Sequence, residues 1–201
     1  MRLTIKPLSP ELADDFFDFF DHRAFTDNSP EGPCYCTRYQ MTAEQEQAEL
    51  FVYGEDHDSF MRGLREAAQR QIASGALQGY LAYADGLAIG WCNANDKANF
   101  PAVSANGAKL YAPPEKHEKV VVCFEIAPEY RGMGVATALL QRVVEDAEAQ
   151  GYTVVEGYPC KRAERYEWDF NGPMRLYEKL GFVKAAENDC SITMRKELRH
   201  A

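Results

Sequence analysis

The sequence predicts an α/β fold in which a mixed, mostly antiparallel sheet is flanked by helices. Three observations lead to this prediction. Apolar residues recur at helical spacing near the start, an Asp85-Gly86 turn separates two apolar runs, and strand and helix patterns alternate from 119 to 195. The chain has 201 residues, 46% of them hydrophobic, which is enough to bury one core, and no linker-like stretch divides it. Residues 1–201 are therefore assigned to a single domain.

Composition excludes several classes of partner. Lys+Arg total 22 and Asp+Glu total 31, so the net charge is -9, and no long Lys/Arg cluster is present. This argues against nucleic acid as a partner. No apolar run is long enough to span a bilayer, so neither a membrane partner nor a location other than the cytoplasm is expected. The six cysteines form no dense framework and are predicted to be reduced thiols.

The N-terminal part is predicted to hold one strand and three helices. Residues 1–6 alternate as a strand does, and residues 12–20 carry an apolar stripe at helical spacing. Residues 42–53 form the second helix, because Thr42 and Gln45 make a capping-box pattern at its start. The third runs from about 59 to Gly75, which suits a left-handed stop.

The remaining elements are predicted in order along the chain. A hairpin joins strands 79–84 and 87–92, because Asp-Gly suits a tight turn. Residues 93–118 have no periodicity, and such long loops are usually functional or mobile. A buried strand (119–126), a helix (135–150), a strand (153–157), a short helix (173–180) and a last strand (191–195) follow. Strand alternation also predicts that Val120, Val122, Phe124 and Ile126 share one face, with Cys123 and Glu125 on the other.

The turn between strand 119–126 and the following helix carries the clearest chemical signal. Gly132 and Gly134 remove side chains where a ligand must approach the backbone, and the N–H groups of a helix start attract an anion. This predicts a pyrophosphate cradle. A P-loop is excluded because Val135-Ala136 stands in place of its Lys-Ser/Thr pair, and the dinucleotide fingerprint because of Thr137. The alternative is a helix start with two incidental glycines.

Arg131, Gly134 and Ala136 match the Gln/Arg-x-x-Gly-x-Gly/Ala pattern, and here the sequence resembles the GCN5-related N-acetyltransferase (GNAT) family. Residues 176–182 and the hairpin 79–92 extend the resemblance, so residues 77–195 carry the motifs. The resemblance implies an N-acetyltransferase that uses acetyl-CoA as co-substrate and acetylates a primary amine, on a small molecule or peptide, by direct transfer in a ternary complex. It leaves a homodimer open. The alternatives are a non-catalytic acyl-CoA-binding or regulatory module and an acyltransferase for a longer acyl-CoA.

The resemblance also implies where acetyl-CoA binds. The pantetheine arm is expected to pair with backbone 124–126, in a V-shaped gap between strands that end near Ile126 and Gly157. Asn171 lies six residues before Tyr177, whereas the family's cofactor-contacting asparagine is commonly seven before it. The expected cofactor-binding residues are Phe124, Glu125, Ile126, Arg131, Gly132, Met133, Gly134, Val135, Ala136, Thr137, Asn171 and Tyr177.

Three residues are candidates for proton transfer. By resemblance Tyr177 is the general acid, because a phenol of pKa ~10 can protonate a thiolate whose thiol has a pKa of ~8.5. A packing role for Tyr177 is the alternative. Glu156 and Glu125 compete for the general base, and a salt bridge is the alternative for each. An amine that is neutral in solution needs neither carboxylate.

Cys34-x-Cys36 admits two interpretations. Zinc needs further ligands that the sequence does not supply, so no metal is predicted, and a loop forming the acceptor wall is favoured. Tyr35, Tyr39 and Trp168 are either part of that wall or ordinary packed aromatics. The sequence leaves the amine acceptor, the acyl length and the oligomeric state undetermined.

Overall fold

A computed structural model describes residues 2–30, 32–101, 117–161 and 169–198. One sheet of seven strands has the order β1-β2-β3-β4-β5-β7-β6, and every neighbouring pair is antiparallel except β4 and β5. This confirms the predicted fold class. The strands are β1 (Leu3–Pro7), β2 (Gly79–Ala84), β3 (Leu87–Asp96), β4 (Glu118–Ile126), β5 (Val154–Gly157), β6 (Val183–Glu187) and β7 (Ile192–Glu197).

Helices cover both faces of the sheet. One core packs the aromatic residues of α1 and the apolar stripe of α3 against Trp91 of β3, and a second packs α4 and α5 on the opposite face. Of all the side chains in the described residues, Trp91 is the largest that is fully buried. The helices are α1 (Ala13–His22), α2 (Ala43–Leu50), α3 (His57–Ser74), α4 (Val135–Ala149) and α5 (Met174–Lys179).

Local signals fixed most helix and turn boundaries. Thr42 and Gln45 form both bonds of the predicted capping box at the start of α2, and Gly75 ends α3 in the left-handed region with φ of 74°. Asp85 and Gly86 both have positive φ, 51° and 83°, in the predicted β2–β3 turn. The side chains of Thr42 and Gln45 bond to backbone groups next to them, and the two glycines and Asp85 adopt positive φ. Residue type alone therefore indicates these boundaries.

Two strand predictions were incomplete. β3 runs four residues beyond the predicted end, to Asp96, so only part of the predicted loop 93–118 is irregular in the described residues; 102–116 lie outside them. β6 was missed. Its side chains are mostly exposed and include only one large apolar residue, Val183, so it lacks the alternating pattern of a half-buried strand.

The predicted facing of β4 was correct within 120–122 and within 123–126, but wrong between these two parts. Asn93 pairs with Cys123 and the next residue of β3, Ala94, pairs with Val121, so Val122 is the extra residue of a β-bulge. Val122 and Cys123 consequently belong to the same core, on the α1 and α3 side, while Phe124 packs in the α4 core. A bulge shifts every later residue of the strand by one position.

Candidate active site

The site lies in a gap that opens where β4 and β5 stop pairing. Their parallel register ends with Val121 opposite Gly157, whereas β4 continues to Ile126. The Ala127 N–H donates to Ile89 O of β3 at 3.0 Å, so alternation turns the N–H and C=O of Ile126 toward the gap. The last residues of β4 therefore present an edge that β5 does not cover.

A short segment covers part of this edge. The Phe124 N–H donates to Phe170 O at 2.7 Å, and Asn171 Nδ2 donates to Val122 O at 3.2 Å. The Ile126 N–H lies close enough to the Glu125 carboxyl group to favour its ionised form, whereas for the Phe124 C=O the described part of the chain supplies no partner. The edge 124–126, predicted to pair with a ligand, is thus available at the Phe124 C=O.

The turn between β4 and α4 leaves the start of α4 open. Gly132 and Gly134 adopt φ of 78° and 86°, in the left-handed region, and a Cβ at either position would have no other described atom within 4 Å. Gly134 is the N-cap residue, and no side chain caps the helix. The first N–H groups of α4 have no intrahelical acceptors, so they face open space with the positive end of the helix dipole. This geometry suits an anion.

Glu125 lies beside that turn but faces the α1 and α3 side. Its side chain is 11% exposed, and the Arg131 guanidinium contacts it at 3.4 Å. Burial raises the pKa of Glu125 to about 8, although the charge and hydrogen bond of Arg131 oppose the rise. A carboxyl group with a pKa near neutrality can accept and release a proton under ordinary conditions.

Tyr177 fills the base of the gap. Its ring packs against Phe124 and Phe182, with centroids 6.4 and 5.5 Å away, and a Cβ on Gly157 would lie 2.1 Å from its Cε1. The hydroxyl donates to Asn171 O at 2.7 Å, and burial raises the pKa of Tyr177 well above its usual value. The phenol is therefore a neutral donor.

The sequence profile described as "Acetyltransferase (GNAT) family" matches residues 15–182, most of the chain. The chain belongs to the GNAT family. No curated protein sequence matches it. Among solved structures, a GNAT acetyltransferase from Streptococcus pneumoniae aligns with TM-score 0.54 and 17% identity over 98% of this chain and 100% of that one. The PaiA N-acetyltransferase from Thermoplasma acidophilum, in complex with coenzyme A, aligns with TM-score 0.52 and 14% identity over 98% and 99%. At these identities the likeness shows the fold.

Asn171 is occupied by protein contacts in this GNAT chain. Its Nδ2 holds the bulged Val122, its Oδ1 accepts from Cys160 Sγ at 3.0 Å, and its backbone O accepts from Tyr177. These contacts position the tyrosine hydroxyl and stand in for β5 along the edge of β4. Binding to the cofactor by Asn171 stays a prediction.

Glu156 lies in a buried network of charges. Lys97 Nζ contacts Glu156 at 3.0 Å and Glu118 at 2.7 Å, and Arg195 contacts the same two carboxylates at 2.5 and 3.0 Å. The Tyr158 hydroxyl also donates to Glu156, at 2.7 Å. Each carboxylate thus has two cations, which is what permits its burial. This arrangement supports the salt-bridge interpretation, and a role for Glu156 as base stays a prediction.

The cysteine pair lies near Glu125 but forms no metal centre. Cys34 and Cys36 sulfurs are 3.5 Å apart, and Cys36 Sγ lies 3.5 Å from Cys123 Sγ. All six cysteines are free thiols. Across the described ranges no group of three or more His, Cys, Asp or Glu side chains is arranged to hold a metal ion.

The aromatic residues of the predicted wall have mixed outcomes. Tyr35 is buried against Phe17 and Phe20, and its hydroxyl contacts Asp21 and Arg65, which favours the packed-aromatic interpretation. Tyr39 packs on Phe100 in a T-shaped pair. Trp168 lies outside the described residues.

None of the described helices is long and apolar enough to cross a membrane.

Sequence reasoning missed several residues of the site. Asp27 forms an ion pair with Arg131 across 104 positions of sequence, and Lys97, Glu118 and Arg195 join Glu156 from three other elements. A local pattern cannot show such pairs. The only signal was that Asp27 lies between the first two predicted helices and Lys97 in the stretch 93–118, which has no periodicity.

Proposed function

We propose that this GNAT chain is an acetyl-CoA-dependent N-acetyltransferase that acetylates a primary amine by direct transfer in a ternary complex. The observation that carries the proposal is the uncapped start of α4 at Gly134, directly beside the uncovered edge of β4. An anion-binding helix start and a free strand edge, side by side, fit a pyrophosphate followed by an amide-bearing arm. The coenzyme A complex of the Thermoplasma relative adds support from the same fold.

Each part of the site has a role in this proposal. N–H groups among residues 132–137 bind the pyrophosphate, and the Phe124 C=O pairs with the pantetheine arm. Glu125 accepts the proton of the ammonium, so that the amine nitrogen can attack the thioester carbonyl, and a backbone N–H of the β4 edge stabilises the oxyanion. Tyr177 then protonates the departing thiolate as the C–S bond breaks, and the second proton lost by the attacking nitrogen restores the phenol. We favour Glu125 over Glu156 because two cations already hold Glu156.

The test measures thioester turnover with a panel of primary amines and acyl-CoAs, together with acetyl-CoA affinity by calorimetry. We expect turnover with at least one amine and a preference for acetyl-CoA. Binding of acetyl-CoA without turnover of any amine would favour a non-catalytic module. Preference for a longer chain would replace the acyl donor in the proposal.

A matched pair of variants isolates the helix start. Gly134→Val puts a side chain where the pyrophosphate would lie, and should abolish acetyl-CoA binding while the protein stays folded. Gly75→Val is the control, because Gly75 also has positive φ, 74°, and open space around its Cβ, but ends α3. Both variants carry the same backbone strain. Equal acetyl-CoA affinity in the two folded variants would refute the proposed cradle.

A further inference from the structure

The Arg131 side chain connects the phosphate-binding turn to two carboxylates. Its Nε donates to Ile126 O at 3.0 Å, which ties the turn to the end of β4. One terminal nitrogen, Nη2, contacts Glu125 at 3.4 Å, and the other, Nη1, forms a short ion pair with Asp27 from the segment after α1. A single guanidinium is therefore shared between Glu125 and Asp27.

This sharing makes the two partners act on Glu125 in opposite directions. A nearby cation favours the ionised carboxylate, whereas a nearby anion disfavours it and, here, also draws the guanidinium toward itself. Because Nη1 is held by Asp27, Arg131 gives Glu125 one long contact in place of the two parallel bonds that a guanidinium can form.

Within the described part of the chain, the other titratable groups facing Glu125 are the neutral thiols of Cys34 and Cys123. The hydrogen bond between Cys34 and Cys36, together with burial, raises the pKa of Cys34 well above its usual value. A hydrogen bond from Cys36 lowers the pKa of Cys123, but burial leaves it raised, at about 11. Neither thiol ionises near neutral pH, so Arg131 and Asp27 are the charged groups that decide the state of Glu125.

We propose that Arg131 and Asp27 are positioning residues that set the charge of Glu125 in opposite directions, so that the phosphate-binding turn and the segment after α1 both control the general base. The inference rests on the proposed function for the role of Glu125 as base. It assigns to Arg131 a task for its side chain that is separate from anion binding by the turn.

The direct test titrates Glu125 in the full-length protein without ligand, by carbon-13 NMR of glutamate carboxyl groups, with the signal assigned by its loss in Glu125→Gln. Asp27→Asn removes the competing charge and releases Nη1, so the Glu125 pKa should fall by about one unit. Arg131→Gln removes the cation, so the Glu125 pKa should rise by about one unit. Asp18→Asn is the control: it removes the same charge from another Asp–Arg pair, with Arg23, and should leave Glu125 unchanged.

Two results would overturn the inference: an unmoved Glu125 titration, or a shift of the same sign in both variants. Arg131→Lys keeps the charge and should titrate closer to wild type than Arg131→Gln, and Asp27→Asn decides alone if Arg131→Gln does not fold. The acid limb of kcat/KM against pH separates this inference from the proposed function. If Glu125 titrates as expected but the acid limb does not follow, the two positioning residues stand and Glu125 is not the base.

Discussion

Replacing Glu125 with glutamine should change how the stability of the protein depends on pH. Burial raises the pKa of Glu125 from 4.5 to about 8, so between these values the folded state holds a proton that the unfolded state releases. For an acid with a raised pKa, the stabilising contribution is complete below the unfolded value and is lost as pH rises to the folded value. The wild type should therefore lose stability with rising pH, and the variant should not show this loss.

The magnitude follows from the two pKa values. The shift of 8 minus 4.5 is about 3.5 units, or roughly 5 kcal/mol at about 1.4 kcal/mol per unit. Two of those units lie between pH 6 and pH 8. Because the group is already half ionised at pH 8, the free energy of unfolding of the wild type should fall by about 2 kcal/mol more than that of Glu125→Gln across this range.

Urea denaturation followed by circular dichroism at pH 6, 7 and 8 measures this difference directly. All other titrating groups are common to both proteins, so they cancel in the comparison. Glu129→Gln makes the same replacement at an exposed position on the neighbouring turn and should run parallel to the wild type. Parallel curves for Glu125→Gln and wild type would show that Glu125 is ionised in the folded protein throughout, and the reasoning from burial would be wrong.

Four other perturbations have defined outcomes. Tyr177→Phe should lower turnover, measured by single-turnover kinetics, far more than it lowers acetyl-CoA affinity, measured by calorimetry, because it removes only a proton donor. Equal turnover in the two proteins would leave Tyr177 with a packing role alone. Gly157→Ala should cost about 1–3 kcal/mol in urea denaturation, since its Cβ would overlap the Tyr177 ring. Lys97→Met should cost about 3–5 kcal/mol, and adding Glu156→Gln should recover part of that loss. Tyr35→Phe should lower the melting temperature with the amine KM unchanged; a raised KM would return Tyr35 to the acceptor wall.

Features that depend on neighbouring residues in sequence could be predicted. The capping box at Thr42 and the Asp85-Gly86 turn rest on side chains that satisfy or relax the backbone next to them. The glycine turn before α4 was predictable for the same reason. Its open geometry belongs to one continuous stretch of chain.

Features that depend on pairing between distant segments could not be predicted. The bulge at Val122 exists only in the register between β3 and β4. A strict period of two therefore placed Glu125 correctly on the same face as Cys123, but wrongly placed Val122 on the face opposite Cys123. The contact of Phe170 with Phe124, and that of Asp27 with Arg131, join segments whose closeness is a result of the fold. The exposed edge strand β6 has too little apolar surface to produce a pattern.

The network of Lys97, Glu118, Glu156 and Arg195 constrains how this protein can be re-engineered. Its two cations and two carboxylates sum to zero charge, so a neutral residue at any one position strands an opposite charge in the interior. Replacing one cation and one carboxylate together should therefore destabilise the protein less than replacing either one alone. Lys97 lies shortly before residues 102–116, in the stretch whose sequence has no periodicity. A loop transplanted from another GNAT protein should keep that lysine. If it does not, a neutral residue should replace Glu118 in β4 or Glu156 in β5.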